Sequence, residues 1–382
     1  MIVNRGIFRV PPESAGGGAE KHGYDLANQL ANLGHEVHFV GKIGARADFN
    51  PLVRIHRVPP RRGVIPPQTA LFGWLLKHLG GNTLTFFVAF RTLIKENFRF
   101  DVIHCHGALA ALLLSISTVH RVPVVYTMQD PSPWIATYDT RVERLVRKVA
   151  YFVVDVPCLR CVSHVIAVSP SLSDEAKRLG VKSSKVMFIP NAVLPPSHEP
   201  RKRKPKHGLF VGQLVKRKGV DVLLESVNKL RTKEVHFTII GDGPEKPKLE
   251  KLARSLRLSD RVVFTGYLYG KKLAHYFLKA SFFAFPSTAE GLPISCIEAM
   301  ACGLPVIASR LPVYEGTLQD GRNALLFEPR NSKQLADCIN KLLADRKLAE
   351  KLSLNGRRLV ERVFSWDVVV RQITSVYNRQ ES

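Results

Sequence analysis

PSTAEGLPISCIEAMACGLPVIAS, residues 286–309, is the stretch whose reading decides the fold. A continuous apolar run ends at Pro286, a short loop follows, and a helix opens at Pro293 and closes at Gly303 before the next β-branched run begins. Proline suits the first helical position and glycine the position past the end. Strand, loop, helix and strand in that order make one unit of a parallel α/β sheet. Ligands in such sheets bind beyond the carboxyl ends of the strands, where the start of a helix offers free N–H groups and a positive dipole end to a phosphate. Glu290 lies just before that helix start, and Gly291, Leu292, Pro293 and Ile294 form the turn into it. Glu298 falls four residues after Ile294 and beside Ile297, on or next to the buried face, where its carboxylate needs a partner. A pair of sugar or ribose hydroxyls would serve, and so would a nearby arginine.

Working outward, the second half repeats this alternation, with strands expected at 208–212, 235–240, 261–264, 282–286, 305–308 and 324–327. The first half carries the same pattern, with strands expected at 36–40, 102–105, 122–127 and 164–168 and helices at 19–33 and 141–153. Between the halves, the proline-rich basic stretch around 196–206 has no period and reads as a linker. Residues 1–195 and 207–365 then form two doubly wound α/β domains.

The chain of 382 residues is 45% hydrophobic and 23% charged, which excludes a disordered protein. Its net charge of +24 is spread over both halves and favours an anionic partner: nucleic acid, an acidic membrane or a phosphorylated small molecule. Six cysteines are too few for a disulfide framework, so a reducing, cytoplasmic setting is expected. Arg5 and Arg9 interrupt what would be the apolar region of a signal peptide. Lys77, His78, Gly80, Gly81, Asn82 and Arg91 break the run 71–98 below the ~20 apolar residues of a membrane span.

Several further clusters could carry chemistry. FVGQLVKRKGVDVLLESV, residues 210–227, crowds Lys216, Arg217 and Lys218 at a helix entrance, after Gly212 and Gln213. Cations there would stabilise a diphosphate, although Lys216 and Arg217 taken singly read as solvated. Gly16, Gly17 and Gly18 precede a helix and would let the backbone approach a ligand, without the G-x-G-x-x-G spacing of a dinucleotide site. His106, Gln129 and Asp130 lie where strands run out into the crevice, whereas His104 continues the strand alternation and reads as core. Cys158, Cys161 and His164 lack a fourth ligand, so zinc is not favoured. No two aspartates stand two residues apart, so there is no Asp-x-Asp pair to hold a divalent ion on a diphosphate; no metal and no cofactor are expected.

Taken together, these residues resemble the retaining glycosyltransferases of family 4. Residues 286–309 are similar to that family's E-x7-E signature, with Glu290 and Glu298 in the acidic positions. IPNAV at 189–193, VGQLVKRKG, IIGDGPE at 239–245, VVFTGYL at 262–268, DGRNALLFEP at 320–329 and FSW at 364–366 agree in order and spacing. The resemblance implies the GT-B fold, two facing Rossmann-like domains with a cleft between them, and places residues 366–382 on the first domain. It also implies a nucleotide-diphosphate sugar as donor substrate, with Glu298 on the ribose, Glu290 on the transferred sugar, and Lys218, Gly17 and Gly18 on the diphosphate. Tyr267 and Leu268 would meet the base by their backbone. The family usually has arginine where this chain has Gln213 and histidine where it has Gln129, so Gln129 is expected to replace a sugar-contacting side chain. His106 and Asp130 are expected on the acceptor side.

The implied activity is metal-independent transfer to a hydroxyl of a glycan or lipid-linked acceptor. Separately, the stretch 71–99, where Phe72, Trp74, Phe87 and Phe90 alternate with Lys77, Arg91, Lys95 and Arg99, and the stretch 141–152, with Arg141, Arg144, Arg147 and Lys148, suit either the inner face of an anionic membrane or a domain core with solvated cations. A nucleotide-sugar epimerase or hydrolase of the same fold is the enzymatic alternative. A basic nucleic-acid-binding protein is disfavoured, because no helix-turn-helix, zinc-finger or RNP signature is present.

Overall fold

The first sheet is built from β1 (Ile2–Phe8), β2 (Val37–Ile43), β3 (Val53–Arg57), β4 (Ile103–Cys105), β5 (Val124–Met128), β6 (His164–Ala167) and β7 (Val186–Phe188). The strands are parallel, in the order β3-β2-β1-β4-β5-β6-β7. This is a computed structural model, and it describes residues 1–8, 18–43, 49–58, 84–118, 121–129, 145, 148–194 and 203–379. The second sheet, also parallel, comprises β8 (His207–Val211), β9 (His236–Ile240), β10 (Val262–Gly266), β11 (Phe282–Phe285), β12 (Val306–Ser309) and β13 (Leu325–Phe327). Its order is β10-β9-β8-β11-β12-β13.

Each sheet starts in the middle, grows to one side, then returns to the centre and grows to the other. The order therefore reverses between β1 and β4 in the first sheet and between β8 and β11 in the second. Loops leaving those neighbouring strands diverge and leave a crevice at the carboxyl edge.

The chain divides into two units: Met1–Trp134, Tyr138–Asn191 and Val369–Ser382 form one, and Ile135–Thr137 with Ala192–Val368 the other. The last helix, Trp366–Asn378, delivers Tyr377 to the first unit, where its hydroxyl is 2.6 Å from His104 Nδ1. Arg203 and Lys204, expected in the linker, are fastened to the second unit. Lys204 N–H donates to Lys279 O, and the Arg203 guanidinium donates to the carbonyls of Ala280, Cys302 and Gly303. The arginine satisfies carbonyls left open at the end of a helix, which a solvated linker could not do.

The second sheet encloses a core dominated by phenylalanine. Phe210, Phe283 and Phe285 stack on neighbouring strands, and Phe237 meets Phe282 edge to face. All five are fully buried, each worth about 1.5–3 kcal/mol of apolar transfer.

Two features of the first unit differ from the sequence reading. Of the expected helix 141–153, residues 141–144, 146 and 147 lie outside the described residues; the part from 148 onward does not stop at 153, because a π-helical turn, Tyr151–Asp155, carries it into Val156–Cys161. Pro157 is tolerated because it sits in the first turn of that new segment. Strands β1, β3 and β7 were not anticipated, since β1 contains Arg5 and Gly6, β3 is a mostly exposed edge strand, and β7 has three residues.

Candidate functional site

The loops after β8 and β11 meet at the point where the second sheet's order reverses. Residues 216–218 form a single 3-10 turn, which ends at Gly219 with φ +63°. A Cβ at Gly219 would lie 2.1 Å from the carbonyl oxygen of Pro286, so only glycine lets the two loops approach this closely. A second close approach is at Gly241, where a Cβ would stand 1.9 Å from Gly212 O. The turns after β8, β9 and β11 are thus pressed together by residues that lack a side chain.

This approach places Lys218 Nζ 2.6 Å from Glu290 Oε1, and Arg217 Nη1 3.2 Å from the same oxygen. Ser287 Oγ donates to Oε1 as well, at 2.5 Å. Arg217 also donates to Ala289 O at 2.9 Å. It is therefore not the solvated cation its sequence neighbourhood indicated, because backbone and carboxylate acceptors converge on it. Lys218 and Glu290 are nearly buried, with side chains 11% and 7% exposed. Burial alone would raise the Glu290 carboxyl. Lys218 and Arg217, together with hydrogen bonds from Lys218 and Ser287, overcome that effect and hold it below its ordinary range. The carboxylate is consequently ionised. Burial draws the Lys218 ammonium down from its ordinary value, opposed by Glu290. Its Nζ also lies 4.8 Å above the centre of the Phe285 ring, a cation–π contact.

The helix after this loop spans Ile294–Ala301. Pro293 is its N-cap, with φ −76° and ψ 107°, one place earlier than expected, because its extended backbone leaves the helix to begin at Ile294. Gly303 follows the end at φ +66°, as the sequence indicated. Gly291 and Pro293 are buried; Leu292, Ile294 and Glu298 are half-buried. Gly212 packs on the Phe210 ring, and Gln213 is exposed. Tyr267 and Leu268 follow β10, with Tyr267 exposed and its ring 6.3 Å from that of Tyr269.

In the first unit, His106 follows β4 beside the corresponding reversal point. Its ring stacks on His104 at 4.8 Å and meets His22, from helix Gly18–Asn32, at 5.7 Å. All three histidines are buried, so His106, expected to face the acceptor, lies inside a ring cluster packed beneath the sheet edge. Burial and then the neighbouring imidazoles push His22 and His104 well below the ordinary histidine value. His104 is held on both nitrogens, by Tyr377 and by Thr127 Oγ1 at 2.6 Å.

Gln129 is buried at the end of β5 and exchanges two amide hydrogen bonds with Asn191, each 3.0 Å long. One face of the Gln129 amide, expected to contact a sugar, is therefore already engaged. Gly18 opens its helix, while Gly17 and Asp130 lie outside the described residues. Cys158 is buried and Cys161 exposed. Among the described residues no three His, Cys, Asp or Glu side chains stand together as a metal-holding group.

Sequence reasoning missed Ser287 and Asn191. Both were visible only as neighbours of quoted motifs, one following Pro286 and the other inside IPNAV, and their partners are fixed by the fold.

Residues 16–195 match the family model described as Glycosyltransferase Family 4, and residues 196–359 the model described as Glycosyl transferases group 1. The chain is a family 4 glycosyltransferase. Among curated relatives it is 29% identical to the MMP alpha-(1->4)-mannosyltransferase of Mycolicibacterium hassiacum, with 93% of this chain and 92% of that protein covered. Its fold is GT-B. Sucrose-phosphate synthase from Thermosynechococcus elongatus superposes with a TM-score of 0.80 at 23% identity, covering 99% of this chain and 98% of that one. Anabaena HepE in complex with UDP-glucose superposes at 0.70 and 18% identity, covering 99% and 100%.

Proposed function

We propose that this glycosyltransferase is a retaining, metal-independent hexosyltransferase that moves a sugar from a nucleotide-diphosphate sugar to a hydroxyl acceptor. The observation that carries the reading is the buried cluster of Lys218, Arg217 and Glu290 at the reversal point of the second sheet. Two cations gathered beside a helix start form a receptor for a diphosphate. The bond from the sugar's anomeric carbon to the diphosphate oxygen breaks. The acceptor oxygen bonds to that carbon on the same face, and its proton passes to the departing phosphate. Lys218 and Arg217 carry the growing negative charge, Glu290 touches the sugar, and Glu298 holds the ribose hydroxyls. The similarity to HepE, solved with UDP-glucose, supports a nucleotide sugar as donor.

A thermal-shift panel of UDP, GDP, ADP and their sugars tests the donor, since a ligand at a hundred times its Kd stabilises by about 2.7 kcal/mol. The anomeric configuration of the product, read by NMR, tests retention. Free sugar or an epimer formed without acceptor would replace transfer by hydrolysis or epimerisation.

A second observation favours a lipid or lipid-linked acceptor. Leu145, Val149, Phe152 and Val153 follow one another at helical spacing and are each more than half exposed. Phe87 and Ile94 are exposed in the helix 84–95, together with Arg91 and Lys95. Apolar surface flanked by cations suits an anionic membrane surface, each nearby cation adding about 1 kcal/mol. No helix among the described residues is long and apolar enough to cross a membrane. Sedimentation with phosphatidylglycerol vesicles at low salt, reduced by Phe152→Ser with Val153→Ser, is the expected result. Absence of sedimentation alongside transfer to a soluble sugar would exclude the membrane reading.

A further inference from the structure

The second unit holds a further cavity, of about 370 Å³, between the loop 316–323 and the segment 355–362. Arg322 rises from the loop wall, while Asn355, Arg358 and Arg362 follow one another along the opposite wall at intervals of three and four residues. That spacing keeps all three on one helical face. No lining residue is acidic. The carboxylate of the loop itself, Asp320, is committed elsewhere: it pairs with Arg310 and accepts the Leu326 N–H. Among the described residues no carboxylate pairs with Arg358 or Arg362. Other arginines of the unit do meet acceptors, Arg310 at Asp320 and Glu328, Arg346 at Glu350, and Arg203 at three carbonyls.

The wall opposite the arginine stripe is shaped by its own hydrogen bonds. Asn323 Nδ2 donates to Thr317 O and its Oδ1 accepts the Gln319 N–H, which pins the loop into a closed turn. Asn355 Nδ2 donates to Arg322 O, tying the two walls together across the cavity floor. The Arg322 guanidinium is steadied by Gln319 Oε1 at 2.7 Å, leaving its other N–H groups for a ligand. Three guanidinium forks converging on an acid-free cavity match the oxygens of a phosphate group, which arginine binds in pairs of parallel hydrogen bonds. The volume lies within the range of small-molecule sites, roughly 300–1,000 Å³, and exceeds what a bare phosphate fills.

We infer that this cavity is a second anion site, separate from the cluster at Lys218 and Glu290, that takes a phosphorylated small molecule of about sugar-phosphate size. Its two walls also rest on the helix Ile294–Ala301. Tyr314, which accepts the Thr317 hydroxyl, has its own hydroxyl 3.9 Å from Cys296 Sγ, and Gly356 packs against Met300.

The test measures binding to the full chain by calorimetry and thermal shift, with glucose 6-phosphate and inorganic phosphate as probes. Wild type, Arg358→Glu with Arg362→Glu, and Lys218→Met are compared. The expected result is saturable glucose 6-phosphate binding to wild type, weakened at least tenfold in the double variant and kept in Lys218→Met, with inorganic phosphate weaker than the sugar phosphate. Both reversed arginines are surface-exposed, so the double variant keeps the fold, checked by an unchanged response to the donor nucleotide. Equal binding by wild type and the double variant, or no binding by wild type, would overturn the site. Binding lost only in Lys218→Met, with that variant shown folded by circular dichroism at the assay temperature, would assign the anion to the β8–β11 cluster instead.

Discussion

Lys218 Nζ and Glu290 Oε1 stand 2.6 Å apart across 72 residues of sequence, joined because β8 and β11 are neighbours in the sheet. The pair is buried, charged and shared with Arg217, so each partner is the other's solvation. A ligand phosphate entering there competes with Glu290 for the same two cations.

Breaking this pair from one side is expected to be costly. Glu290→Leu strands a buried ammonium and is expected to destabilise by about 3–5 kcal/mol, whereas Lys218→Met leaves Glu290 with Arg217 and Ser287 and should cost less. The double variant should be less destabilised than the sum of the two. Urea unfolding of the four proteins measures the coupling, and additive losses would show that the ion pair does not form. Under the proposed mechanism the Lys218 variant also loses about 10²–10³ in kcat.

Acid stability should fall in two stages. His22 and His104 have folded values far below their unfolded value of about 6.5, so the unfolded chain binds more protons and stability declines as pH drops below that value. Glu290 is held down, so its contribution is intact above an unfolded value of about 4.3 and disappears as pH falls through its lower folded value. Urea midpoints measured from pH 8 to pH 4 should therefore slope downward below pH ~6.5, before carboxylates titrate. The slope should be shallower in His104→Gln. A flat profile between pH 8 and pH 5 would contradict the buried neutral histidines.

Gly219 and Gly316 separate two costs of glycine replacement. Both have positive φ, +63° and +74°, but a Cβ at Gly219 meets Pro286 O whereas nothing lies within 4 Å at Gly316. Gly316→Ala should cost the conformational term alone, about 1–2 kcal/mol. Gly219→Ala adds a backbone clash and should lose more, with Lys218 displaced from Glu290. Thermal midpoints of the two variants decide it, and equal losses would show that the loops do not approach as described.

Much of the second unit was legible because its strands are unbroken apolar runs bounded by glycine, proline or charge. Phe282–Phe285 before Pro286 is one such run, and every expected strand there lies within two residues of its place. The first unit hid more. Strand β3, VRIHR, is a short edge strand that exposes Ile55 as well as Arg54 and Arg57, and β1 is interrupted by Arg5 and Gly6, so neither reads as a buried apolar run. At the site, Glu290 and Lys218 could be named from motifs, but their direct pairing could not. It depends on strand order, which no local pattern records. Arg217 was misread for the same reason: the carbonyl and carboxylate that hold it come from a loop 72 residues away.

Gln129 and Asn191 give the last prediction. Each amide is buried and donates to the other at 3.0 Å, so removing one leaves the other's donor and acceptor without their partner in a dry environment. Gln129→Ala and Asn191→Ala should each destabilise by about 1–3 kcal/mol. Removing both takes away the two polar groups together, so the double variant should recover part of the loss, with a coupling of about 0.5–3 kcal/mol. The same cycle carried out on kcat/KM separates positioning from sugar contact. If Gln129 acts only by holding Asn191, the two single variants and the double lose similar activity. If its amide also reaches the donor sugar, Gln129→Ala loses more turnover than Asn191→Ala at matched stability, and Gln129→His restores turnover without restoring the stability lost with the Asn191 pair.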